Sequence, residues 1–310
     1  MGIPLSIIIP AYNARQHTSR LLASILPQLE PLDEVIISDD GSSEDQLPAQ
    51  NNPQIRLIRN PQNMGPASAR NLGGTLAKWQ GRIFVDTDVV LDPGTVREIR
   101  TRLAEAKAPV ALMGLVRGSD SSQTATRLKM ALLRHRHEHT SNIAFIYGSL
   151  CAFNFPVSWP AEHRILEDVR LGLDLSKRGI AIELVPSATF THNKHLPFHR
   201  LPEYDFRIAQ QYALLQMEGS LGERFHTKSS DLAGIAISWL GLATLISFPK
   251  LYPLSMAAWG LSQVRNLRLL NSRTRLSLVK AASFLYVSQI SQGAGIAFGI
   301  LLGIRKKILV

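Results

Sequence analysis

The sequence predicts an α/β fold: a mostly parallel sheet with helices on both faces, followed by apolar helices. Three observations predict it. Short apolar runs alternate with amphipathic stretches through the first half of the chain, and such alternation builds a parallel sheet covered by helices. The apolar runs end in turn residues and carboxylates. The last third is dominated by long uncharged stretches.

Leu5 to Ile9 is a strongly apolar strand, closed by the turn Pro10-Ala11-Tyr12-Asn13. Leu21, Leu22, Ile25, Leu26 and Leu29 then fall on one helical face. Glu34 to Ser38 is a second strand, ending at Asp39-Asp40-Gly41-Ser42-Ser43, and Ile55 to Arg59 is a third. Gly65-Pro66 opens a helix, with proline where its missing N–H costs nothing. Arg82 to Asp88 is an apolar run ending in two carboxylates, and Pro93 to Ala106 is again helical. Tyr147 to Phe153 reads as a strand, Leu166 to about Arg178 as a helix stopped by Gly179, and 182–186 with 188–192 as a strand pair. Leu201 to His226 has an amphipathic helical pattern suited to a membrane interface.

In open α/β sheets ligands bind beyond the carboxyl ends of the strands, which puts Asp39, Asp40, Asp86 and Asp88 at a site. Hard oxygen ligands such as Asp86 and Asp88 suit Mg²⁺ or Mn²⁺, which in turn hold a diphosphate; a polar turn after a buried strand is the simpler alternative. No Gly-x-Gly-x-x-Gly or Walker loop occurs, so a nucleotide here would be held by carboxylates rather than a glycine cradle.

Four segments in order, Ile7-Ile8-Ile9-Pro10-Ala11-Tyr12-Asn13, Asp39-Asp40-Gly41-Ser42, Asn63 to Asn71 and Asp86-Thr87-Asp88, resemble the family 2 glycosyltransferases of GT-A fold (nucleotide-diphospho-sugar transferase-like). The resemblance covers residues 3 to about 200. It implies that Pro10, Tyr12 and Asp40 border the nucleotide base, with Ala11 and Asp39 in the same nucleotide-sugar site, that Arg70 lies near the base or diphosphate, and that Asp86 and Asp88 address ribose, diphosphate and metal. Tyr12 packing under its loop and Arg70 merely pairing with Asp39 or Asp86 are the alternatives. In Leu166-Glu167-Asp168-Val169 the acidic pair would by itself be favourable charge at a helix N-terminus. The resemblance implies instead that Asp168 is the general base of an inverting transfer, with Glu167 a supporting neighbour. It also implies that His192 meets the metal or diphosphate. His135 and His139 share a helix face but read as part of a solvated basic surface and are assigned no chemistry.

The formal net charge is +10, with five basic residues and no acid from Val264 to Lys280 and Arg305-Lys306-Lys307 near the end. Both clusters flank apolar runs, which favours a membrane surface over nucleic acid as the partner. A single cysteine, Cys151, excludes an internal disulfide, and no signal peptide is expected from the first residues. Leu232 to Phe248 is uncharged over 17 residues, at the lower edge for a span, and Ala281 to Ile304 over 24. A hairpin of 232–248 with 251–263 is one arrangement; Ser288, Gln289, Ser291 and Gln292 could mark a bend. Gly295, Gly299 and Gly303 form a small-residue stripe suited to close helix packing.

The reading is therefore a catalytic domain over 1–225 and membrane-associated helices over 226–310. The expected function is metal-assisted, inverting transfer from a nucleotide-diphosphate sugar, UDP favoured over GDP. The acceptor would be lipid-linked or a cell-surface glycan, at the cytoplasmic face of the inner membrane. A nucleotidyltransferase would need a glycine-rich basic loop where Pro10 to Asn13 stands. A non-catalytic scaffold of the same fold would show erosion at Asp86, Asp88 or Asp168, and none is eroded.

Overall fold

The computed structural model describes residues 2–43, 52–139, 145–218, 229–274 and 276–308. Arg275, residues 140–142 of the polar stretch, 219–226 of the expected amphipathic helix, and the side chains of Lys306 and Lys307 lie outside the described residues. The chain divides into two compact units: Met1–Asp120 with His137–Lys194, and Ser121–Arg136 with His195–Val310. Residues 195–218 thus group with the helices expected from residue 226 onward.

In chain order the first unit holds β1 (Leu5–Ala11), α1 (Arg15–Ile25), β2 (Glu34–Asp39), β3 (Ile55–Arg59), α2 (Pro66–Leu76), β4 (Gly81–Val85), β5 (Val89–Leu91), α3 (Thr95–Glu105) and β6 (Val110–Gly118). After α4 (Thr124–Glu138), most of which groups with the second unit, come β7 (Leu150–Phe153), α5 (Glu167–Lys177) and β8 (Ala181–His192). The strands form one sheet in the order β3-β2-β1-β4-β7-β6-β8-β5. β1 pairs in parallel with β2 and β4, as do β2 with β3 and β6 with β8. β7 is antiparallel to both β4 and β6, and β5 to β8. The sheet is therefore mostly parallel, with β7 reversing direction at its centre.

Three details depart from the sequence reading. β6 was not anticipated, although Pro109 separates its apolar run from the end of α3. The strand expected from Tyr147 begins at Leu150, and Tyr147-Gly148-Ser149 is irregular chain. The expected strand pair at 182–192 is one strand, β8, whose register against β6 shifts between Gly114↔Val185 and Leu115↔Thr189. Pro186 sits in that bulge, where a residue without an N–H is tolerated.

The core explains the frame of the site. Ile7, Ile8, Ile9, Val35, Ile36, Ile37, Ile83, Phe84 and Val85 are fully buried, as strands covered on both faces require. Phe84 meets Phe153 and Trp159 edge-on, at centroid distances of 5.8 and 5.4 Å. A Cβ on Gly73 would sit 2.5 Å from Ile8 Cγ2, so this glycine lets α2 lie down on β1.

The second unit contains α6 (Leu201–Met217), α7 (Ser229–Ser247), α8 (Tyr252–Thr274) and α9 (Leu278–Ile308). α7 and α8 form the hairpin expected at Pro249; Thr244 Oγ1 and Ser255 Oγ are 2.8 Å apart across it. α8 continues well past residue 263, to Thr274. The stretch Ser288 to Gln292 is not a bend but continuous helix. Its Gln289 accepts from Ser238 Oγ and Trp259 Nε1, both at 2.8 Å, and donates to Gln263. The glycine stripe of α9 lies on α6: a Cβ would be 2.2 Å from the Phe206 carbonyl at Gly295 and 2.6 Å from the Gln210 carbonyl at Gly299. Gly299→Leu is expected to lower stability by about 3 kcal/mol, because the obstacle is backbone and cannot swing away. Denaturant unfolding would measure it; a loss under about 0.5 kcal/mol would mean that α6 and α9 do not pack this closely. Among the described residues α9 alone contains a stretch, Leu278–Arg305, long and apolar enough to cross a membrane; the apolar part of α7 is shorter.

Candidate active site

The site is assembled from the carboxyl ends of β1, β2 and β4, the N-termini of α2 and α5, the end of β8 and the irregular segment before β7. Ala11 closes β1 beside Asp39, and the pairing of β1 with β4 stops at Ile8, ahead of Pro10. Asn13 then adopts φ 46°, the left-handed region that asparagine tolerates, and its Oδ1 accepts from the Ser43 N–H at 3.1 Å. Tyr12 is 49% exposed, so it does not pack beneath this loop.

Asp39 and Asp40 are both buried and serve the local chain. Asp39 pairs with Arg59 Nε at 3.1 Å and accepts from the Ser42 N–H and hydroxyl. Asp40 accepts from Asn60 Nδ2, the Met64 N–H and the Gly65 N–H, at 2.8, 3.0 and 2.7 Å. Gly65, at φ 98°, is the residue before α2, so Asp40 anchors the start of the helix that carries Arg70.

Arg70 is the buried hub. One guanidinium nitrogen donates to Glu167 Oε1 at 2.9 Å, another to Asp86 Oδ1 at 2.7 Å, and the group lies 4.3 Å from the centroid of the Trp159 ring. Burial alone would make it easier to deprotonate, but the charges of Asp86 and Glu167 outweigh that and hold it firmly protonated. The alternative reading of Arg70 as partner of Asp86 is thus met in the structure. Trp159 was not singled out in the sequence; an indole 89 residues away in the chain gives no local signal.

Asp168 stands in the first turn of α5, after Leu166 in the left-handed region at φ 60°. A branched side chain there is strained, and such strain concentrates where a neighbour must be aimed. Asp168 accepts from the Gly148 N–H at 3.0 Å and the Val169 N–H at 2.8 Å. Burial and the adjacent Glu167 nonetheless push its pKa up to about 6, against the opposing pull of those hydrogen bonds and of Arg70.

Asp88 and His192 come together from the end of β4 and the end of β8, with Nε2 3.1 Å from Oδ1. Burial would raise the Asp88 pKa, but His192, Lys194 and His17 bring it down to about 2. On the other side of the ring, His192 Nδ1 lies 2.7 Å from the Tyr147 hydroxyl and 3.5 Å from Ser149 Oγ. The donor set fits a divalent cation: an imidazole nitrogen and a carboxylate oxygen ~3 Å apart is the spacing of two neighbouring ligands on an ion at ~2.1 Å. Tyr147 would be the outer partner that selects which ring nitrogen faces such a cation.

Tyr147-Gly148-Ser149 ties these parts together. Tyr147 reaches His192, the Gly148 N–H holds Asp168, and the Ser149 carbonyl accepts from the Asp86 N–H at 3.1 Å. A Cβ on Gly148 would be 3.2 Å from an Arg70 nitrogen and 3.3 Å from Asp168 Cβ, so the glycine separates cation and carboxylate with no room to spare. Reading this tripeptide as the start of a strand had concealed its role.

A family model described as glycosyl transferase family 2 matches residues 6–161, half of the chain. The succinoglycan biosynthesis protein ExoO of Rhizobium meliloti is 31% identical over 184 residues, 56% of this chain and 52% of that protein. An uncharacterized glycosyltransferase of Haemophilus influenzae is 37% identical over 94 residues, 28% of this chain and 38% of its own length. The chain thus spans well under two thirds of these curated relatives. A solved mannosyltransferase, PcManGT from Pyrobaculum calidifontis, in complex with GDP-Man and Mn²⁺, has a TM-score of 0.54 at 14% identity; the alignment covers 99% of this chain and 88% of that one. The mixed sheet with helices on both sides, carrying carboxylates at its strand ends, is a GT-A-like fold. The chain belongs to glycosyltransferase family 2.

Proposed function

We propose that this protein transfers a sugar from a nucleoside diphosphate sugar to an acceptor hydroxyl with inversion, using Asp168 as general base. The observation that carries the reading is one short segment, 147–149, joining three chemistries: a carboxylate raised to about 6, the Asp88–His192 pair and Asp86 with its arginine. A base poised near neutral pH takes the acceptor proton effectively, and Asp168 is ionised at pH 7 yet still basic. The acceptor oxygen then bonds to the anomeric carbon from the face opposite the diphosphate, which leaves with the electron pair of the broken bond. Asp88 and His192 would hold Mn²⁺ or Mg²⁺. The chemistry that cation supplies is neutralisation of charge on the departing diphosphate.

Pro10, Ala11, Tyr12, Asp39 and Asp40 border the nucleotide base in this reading. Tyr12 offers an exposed ring, and the two aspartates act by shaping the loop walls. Asp86 addresses the ribose and diphosphate from a position set by Arg70. UDP is favoured over GDP. The acceptor is lipid-linked or a growing cell-surface glycan, met at the cytoplasmic face of the inner membrane, where nucleotide sugars are available; the apolar α9 supports the membrane location.

Calorimetric titration of UDP, then GDP, into the detergent-solubilised chain tests the donor site. One nucleotide is expected to bind at least tenfold tighter with Mn²⁺, and Asp88→Ala and His192→Ala are each expected to abolish that gain. Metal-independent binding, or none by folded protein, would remove the Asp88–His192 assignment.

A further inference from the structure

The hairpin of α7 and α8 separates apolar and basic surface along its length. At its tip Ile246, Phe248 and Leu254 are 75%, 63% and 70% exposed, with Leu245 and Leu251 also uncovered and Lys250 the one charge among them. Further along α8, away from the tip, Arg265, Arg268 and Arg273 are exposed. From residue 232 to 310 the sequence has nine lysines and arginines and no aspartate or glutamate. A protein partner with an apolar pocket would explain the tip but not this one-sided charge. An anionic lipid surface matches both, since basic side chains at headgroup level and apolar side chains below it are each stabilised there.

The dimensions agree. Leu254 and Arg265 are eleven residues apart on one helix, ~16 Å at 1.5 Å per residue. Half of a ~30 Å hydrocarbon core is ~15 Å. With Arg265 at the headgroups, the tip reaches the middle of the bilayer and goes no further. Lys250, the one charge carried below the headgroups, is a cost set against the five exposed apolar side chains around it. α9 points the same way. Its glycine face, from Gly295 to Gly303, is occupied by α6, and α6 exposes Glu203 and Arg207. Carrying α9 across a bilayer would drag those charges into hydrocarbon, at a cost that is avoided when the unit stays on one side.

We infer that the α7–α8 hairpin is a one-leaflet anchor, inserted tip first into an anionic bilayer with Arg265, Arg268 and Arg273 on the lipid headgroups. The inference rests on the membrane location proposed above and names its geometry and lipid chemistry.

The test uses the full chain and vesicles of phosphatidylcholine with or without phosphatidylglycerol. Flotation is expected with phosphatidylglycerol vesicles. Arg265→Gln with Arg268→Gln and Arg273→Gln should weaken it about a hundredfold at low salt, at roughly fivefold per charge. Ile246→Asp with Phe248→Asp should abolish it; these side chains are solvent-exposed, and an unchanged thermal unfolding curve checks that the fold is intact. For depth, Ile246→Cys carries a fluorophore, the single native Cys151 being buried. Quenching by lipids brominated near the chain ends, with none by aqueous iodide, is the expected result. Reaction of Lys250→Cys with an impermeant maleimide from the far side of the vesicle would overturn the one-leaflet geometry. Equal flotation on neutral vesicles would overturn the anionic specificity. A dimer in solution that the Asp variants dissociate, without flotation, would assign the tip to a second copy instead. Nucleotide binding is measured on every variant: flotation without it would sink the donor site but leave the anchor, and the reverse would sink the anchor alone.

Discussion

Arg70→Ala is expected to destabilise the first unit by about 3–5 kcal/mol, seen as a fall in the denaturant midpoint with little change in slope. The cause is less the loss of attraction than what is left behind. Asp86 and Glu167 each keep a charge that Arg70 was compensating at 2.7 and 2.9 Å. Trp159 also loses the flat cation on its face. Arg70→Lys should recover only part of the loss, because an ammonium cannot place two separate N–H groups on two carboxylates while stacking on an indole. Adding Glu167→Gln to Arg70→Ala should restore a fraction of the stability, since it removes one of the uncompensated charges. If Arg70→Ala and wild type unfold within about 1 kcal/mol of each other, the hub does not exist as described.

Asp168→Asn is expected to reduce kcat by about 10²–10⁴ while leaving nucleotide affinity unchanged, the range general-base removal commonly produces. The wild-type rate should rise with pH through about 6 and level off above it, because the base works only when ionised and its pKa lies there. The same shift has a stability consequence of opposite sense. The folded-state pKa is above the unfolded value of 3.8, so the native form binds more protons in between. Its stability therefore falls as pH rises from about 4 to about 6, and the whole cost is present at pH 7. Asn at 168 escapes that cost but has one acceptor oxygen where Asp168 uses two. Its stability relative to wild type should therefore carry a pH-independent loss and improve by on the order of 2 kcal/mol from about pH 4 to about pH 7. A relative stability that stays the same between about pH 4 and about pH 7 would show that Asp168 is not held at the raised pKa. Asp88 behaves in reverse: with its pKa held at about 2, its contribution is present above the unfolded value and is lost only as pH falls through that lower value.

Several features were legible in the residues because they are local. Apolar runs name β1, β2, β3 and β4, Gly65-Pro66 opens α2, and Gly179, at φ 74°, ends α5 where expected. The glycine spacing in α9 announced a close helix contact, and the structure supplied α6 as the partner. The reversal at β7 was not legible. Its four residues have the same apolar character as the parallel strands, and direction depends on what the chain does between strands.

What the sequence determined by itself is the list of chemical groups at the strand ends and the order in which they arrive, because turn residues and apolar period act over a few positions. What only the tertiary structure decided is how those groups are coupled. Arg70 meets Asp86 and Glu167, His192 meets Asp88 and Tyr147, and Gly148 stands between Arg70 and Asp168. These contacts join residues up to 104 positions apart, as Asp88 and His192 are. They set charge and basicity through burial and a few ångströms of separation, which no local pattern in the chain encodes.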